Sequence, residues 1–118
     1  MATFDATEAA LVRQLLAEDL TTVRSHIRHS SPLSAAKRAY RVDADRLRSA
    51  LEEFGDQLPA QHVAVVLEVL GKRRTVLREQ IRRADNPLFK AQLRQVGEQL
   101  EQIVARLRGS TRDDRTAA

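Results

Sequence analysis

Apolar residues recur along the chain at steps of three and four, the period of a helix packed on one side. Nowhere do they alternate over the length of a strand, and Gly and Pro fall at only a few boundaries. Four helical segments follow. The first runs from about Thr7 to His29, with Asp5 or Thr7 as its cap. Leu11, Val12, Leu15, Leu16, Leu20, Val23 and Ile27 give it a broad apolar face, and Arg24, His26, Arg28 and His29 cluster at its end. Cations there complement the helix dipole. The second segment is 33–55. The third starts near Pro59 and runs to about Arg83. Asp85-Asn86-Pro87 then reads as a stop followed by a start, and the fourth runs from about Leu88 to Arg108. Gly109 is the expected stop, with 109–118 as a flexible polar tail.

The last two segments share one spacing. Val63, Leu67, Leu70, Arg74, Leu77 and Ile81 step along the third; Phe89, Leu93, Val96, Leu100, Ile103 and Leu107 step along the fourth. This is the seam of an antiparallel hairpin over 59–108. A turn near Asp85 sets Ile81 beside Phe89, Leu77 beside Leu93, Leu70 beside Leu100 and Val63 beside Leu107. The polar flanks Gln92, Gln95, Gln99 and Gln102 predict a peripheral fourth helix against a central third. The expected fold class is all-α: one domain over 1–108, of four helices, ending in this long hairpin. Its wide apolar faces predict self-association, with a homodimer as the expected state.

Composition adds bounds. At 118 residues the chain is one domain by length, with a modest core built from Leu, Val, Ile and Ala because aromatics are only 3%. The longest apolar run is Val63 to Leu67, too short to span a membrane. The first residues carry no basic stretch ahead of an apolar one, so no secretory signal is read. Cysteine is absent, which excludes thiolate chemistry and fits a cytoplasmic setting. Net charge is +4, and 17 of the 20 basic residues are Arg. Such a chain can meet a polyanion, although Arg also pairs readily with carboxylates of its own chain.

Segment 33–55, LSAAKRAYRVDADRLRSALEEFG, can be read in two ways. Ala36 fits the small residue at a helix crossing, Val42 the apolar residue after a turn, and Leu47 and Leu51 the anchors of a second helix. Over these roughly twenty residues the stretch resembles the helix-turn-helix of small bacterial DNA-binding regulators. The resemblance implies that Arg46 and Arg48 reach bases or phosphates of double-stranded DNA, with Lys37 and Arg41 supporting on the backbone. The sequence departs from the pattern in two respects. Tyr40-Arg41 stands where the turn usually has Gly, and Asp43, Asp45, Glu52 and Glu53 repel phosphate. In the other reading Leu33, Ala36, Tyr40, Ala44, Leu47, Leu51 and Phe54 form one face of one unbroken helix. Tyr40 to Asp43 decides between them.

Arg74, Arg78 and Arg82 share one side of the third segment and repel one another, so an anion must offset them. Glu79 is one candidate and an acidic partner is another. Arg74 occupies a seam position, where it requires a carboxylate or an escape to solvent, and Gly97 leaves room opposite. His26, His29 and His62 lack a supporting carboxylate, so no metal site is expected. Arg13, Arg28, Lys37 and the Arg41–Arg46 stretch resemble the arginine set of helical chorismate mutases, but the acidic-apolar motif of that family is missing from the first helix. With no Gly-rich phosphate loop and no nucleophile elbow, the chain is expected to be no enzyme and to need no cofactor. The leading expectation is a DNA-binding regulator; its rival is a helical adaptor binding an acidic protein through the seam and the Arg-rich face.

Overall fold

The computed structural model describes the backbone of residues 2–55 and 57–117 and the side chains of 3–55 and 57–109. The elements in order are β1 (Ala2–Thr3), α1 (Ala6–His29), α2 (Ala35–Glu53), β2 (Gln57–Leu58), a single 3-10 turn (Ala60–His62), α3 (Val63–Arg83) and α4 (Pro87–Ala117). The fold is an all-α four-helix domain. The short β1–β2 pair was not expected, since two residues are too few to show a period; it sets Ala2 opposite Leu58 and Thr3 opposite Gln57.

Local chemistry sets the helix starts. Asp5 accepts from the Glu8 N–H at 2.8 Å while Glu8 accepts from the Asp5 N–H at 3.2 Å, a reciprocal cap on α1. Ser34 caps α2 through the Lys37 N–H at 3.1 Å. Asn86 accepts from the Leu88 and Phe89 N–H groups, and Pro87 fills the first turn of α4.

Residues 35–53 form one helix, and no described residue outside Gly has a positive φ. The expected helix-turn-helix over 33–55 is therefore corrected. Tyr40 and Arg41 continue the helix, since neither side chain favours the left-handed backbone of a sharp turn. Val42, the expected post-turn anchor, is 59% exposed. Leu47 and Ala50 are buried, with Tyr40, Ala44 and Leu51 packed at the core's edge.

Gly109 does not stop α4, which continues to Ala117. Gly terminates a helix by taking positive φ, and no described Gly does so. The side chains of 110–118, part of the expected flexible tail, lie outside the described residues. The expected peripheral place of α4 holds: it packs on α3 and otherwise chiefly on β1, whereas α3 also packs on α1 and α2. Leu100, Ile103 and Leu107 are nonetheless fully buried, as the inner half of α4 joins the core along its seam with α3. Arg106 fastens the same region, pairing with Glu8 and donating to the Thr3 carbonyl at 3.4 Å.

A corner joins the chain start to the α2 end. The Phe4 and Phe54 rings pack at 5.7 Å, tilted by 40°, both buried. Arg13 lies 4.9 Å over the Phe54 ring and donates to the carbonyls of Phe54 and Gly55 at 3.3 and 2.7 Å. It thereby satisfies orphan acceptors at the helix end.

Burial is confined to the middle of the molecule. No residue from 24 to 46 is buried, and none from 78 to 99. The outer ends of the α1–α2 and α3–α4 hairpins thus carry no core of their own. The extents are 46 × 45 × 22 Å and the radius of gyration is 15.9 Å, against about 13.5 Å for a compact domain of this length.

Candidate functional site: the basic tip and the hairpin groove

The four expected DNA-contacting residues fall into two pairs. Arg46 lies 3.8 Å from Asp43 and 3.6 Å from Glu68, and Arg48 is held by Asp45 at 2.9 Å. A phosphate approaching either would meet those carboxylates. Lys37 and Arg41 make no ion pair with any described residue.

These two belong to a larger set. No acidic residue occurs between Asp19 and Asp43, a stretch holding Arg24, Arg28, Lys37, Arg38 and Arg41. The end of α1 and the start of α2 bring all five to one hairpin tip, where none has an ion-pair partner among the described residues. The chain has 20 basic and 16 acidic residues; with these five set aside, 15 remain against 16. The net positive charge is therefore a property of the tip. Arg24 and Arg28 line a shallow hollow with Thr21 and Ile27. His26 stacks on Tyr40 at 5.0 Å and ties the two helices together there. Leu33 caps the turn, 94% exposed. The acid-free stretch is legible in the sequence.

The Arg-rich side of α3 divides as well. Arg74 reaches across the hairpin to Glu101, the carboxylate partner its seam position required. Its Nε is buried without an acceptor. Arg82 and Arg83 share Glu79, at 2.7 and 2.8 Å. Arg78 makes no ion pair with a described residue. It lines a groove of about 240 Å³ with Leu77, Ile81, Arg94, Gly97 and Glu98, among others. A Cβ at Gly97 would meet nothing within 4 Å, so the room expected opposite Arg74 is present.

His62 is buried and its Nε2 donates to Glu53 at 2.5 Å, while Gln61 donates to the same oxygen at 2.8 Å. The His62 hydrogen bond chiefly holds the Glu53 carboxyl below its ordinary value of 4.5, with the His62 charge and Gln61 adding to it and desolvation opposing. Among the described residues no three His, Cys, Asp or Glu side chains gather in a way that could hold a metal. No described helix is long and apolar enough to cross a membrane. Arg13, part of the mutase-like set, is engaged with the α2 end. No family model, curated protein or solved structure matches the chain.

Proposed function

We propose that the protein is a small non-enzymatic DNA-binding module of the cytoplasm that grips duplex phosphates with its α1–α2 tip. The carrying observation is the five unpaired cations, Arg24, Arg28, Lys37, Arg38 and Arg41, at one hairpin end without a carboxylate among them. Arg suits phosphate through its planar fork of donors. Two exposed apolar residues, Leu33 and Val42, offer little for burial in a protein partner or a lipid surface. This reading keeps Lys37 and Arg41 as DNA contacts, leaves Arg46 and Arg48 in their ion pairs, and involves no base recognition by a helix-turn-helix. A regulatory role would then come from occupying DNA, with a second copy presenting a second tip. A second reading, a helical adaptor for an acidic protein, is favoured by the groove holding Arg78 and Arg94.

Fluorescence anisotropy of a labelled random-sequence duplex across a salt series tests the proposal. Affinity should fall with salt at a slope of roughly −0.9 per phosphate engaged. Changing all five cations to Gln should flatten that slope and abolish binding, with far-UV circular dichroism unchanged. Arg46→Gln with Arg48→Gln should leave it nearly intact. No binding at low salt, or binding to an acidic protein probe or anionic vesicles instead of DNA, overturns the proposal.

A further inference from the structure

The α3–α4 groove lies where the hairpin seam loses its cover. Leu70, Leu77, Leu100 and Ile103 are buried, but toward the turn Ile81 and Leu93 are half-buried and Phe89 is 50% exposed. An apolar floor thus reaches the surface between two charged rims. Those rims have an order along the hairpin. Arg78 and Arg94 stand toward the tip; Glu98 stands toward the core, beside the Arg74–Glu101 pair, whose charges offset each other. Arg78, Arg94 and Glu98 make no ion pair with any described residue.

This order is self-complementary. A two-fold axis perpendicular to the hairpin exchanges its outer and inner ends. Arg94 of one copy then lies on Glu98 of the other, twice over, as an isologous contact demands. A partner that was only acidic would satisfy Arg78 and Arg94 and leave Glu98 facing like charge; a second copy satisfies Arg94 and Glu98 together. Gly97 carries no side chain at the middle of the groove and permits close helix approach. We propose that two copies dock through this groove into a four-helix arrangement, with Arg94 of each copy facing Glu98 of the other and Leu77, Ile81 and Leu93 beneath. The self-docking does not rest on DNA binding by the tip, which lies on the other hairpin.

Sedimentation equilibrium of the full chain and its variants tests the arrangement. The wild type should pass from 13.3 kDa to twice that mass as concentration rises. Arg94→Glu alone and Glu98→Arg alone should each weaken association about tenfold or more, since like charges then face each other. Mixing the two variants should restore a dimer, because every cross-chain pair again has opposite signs. Restoration on mixing cannot come from an effect on monomer folding, and circular dichroism of each variant checks that the helices persist. A wild type that stays at 13.3 kDa overturns the proposal, as does a dimer indifferent to both reversals. A monomer whose groove amides shift only on addition of an acidic helical peptide would assign the groove to another protein.

Discussion

Arg74 and Glu53 show how a single side chain takes its role from a partner. Arg74 stands in an apolar seam, and its pairing with Glu101 still leaves one buried N–H without an acceptor. A partly buried ion pair often contributes less than an apolar side chain of similar size. Arg74→Leu is therefore expected to leave stability unchanged or raise it. Glu101→Ala, which strands the guanidinium, should lower it by about 1–3 kcal/mol. Urea denaturation midpoints of the two variants check this. For Glu53, the depressed carboxyl contributes stability above its ordinary value of 4.5 and loses it as pH falls through the lower folded value. Thermal melts between neutral and strongly acidic pH should show part of the acid loss vanish in Glu53→Gln. The need for a partner at Arg74 was legible from its place in the spacing, and Glu101 was not, because charge pairing across a hairpin depends on register. The Glu53–His62 contact was equally hidden, since the chain must turn back through β2 before the two meet.

Continuity of α2 is the finding at the scale of elements. Ala36, Val42, Leu47 and Leu51 satisfied a local pattern, but the same residues satisfy an uninterrupted helix. A Gly inside an exposed stretch of helix costs about 1 kcal/mol, whereas at a sharp turn it costs little. Arg41→Gly is accordingly expected to lower stability by about 1 kcal/mol, read from chemical denaturation, and an unchanged or raised stability would argue for a turn. Helix boundaries followed closely from the sequence because caps are local: Asp5, Ser34 and Asn86 each act within three residues. Gly109 misled for the complementary reason. A Gly ends a helix only when the following backbone favours the left-handed turn, and α4 runs through it. Gly109→Ala should raise stability by roughly 0.5–1 kcal/mol, because α4 runs through this position, a gain measurable by thermal melting.

The whole molecule is a buried centre with two coreless hairpin ends, one basic and one grooved. Disruption at the centre should therefore be felt everywhere: Leu16→Ala, at a fully buried position shared by the helices, is expected to cost about 2–5 kcal/mol in chemical denaturation. Changes at either end should alter binding and leave the melting transition nearly in place. Helix number, helix faces, caps and the α3–α4 pairing were determined by the sequence, because periodicity and capping are written within a few residues of one another. Three matters were decided only in the tertiary structure. Arg46 met Glu68 of α3 besides its local partner Asp43. Arg106 of α4 met Glu8 at the start of α1. The chain start paired with β2, and Phe4 met Phe54. Each depends on which distant segments the packing brings together, and a contact between distant segments leaves no local period to read.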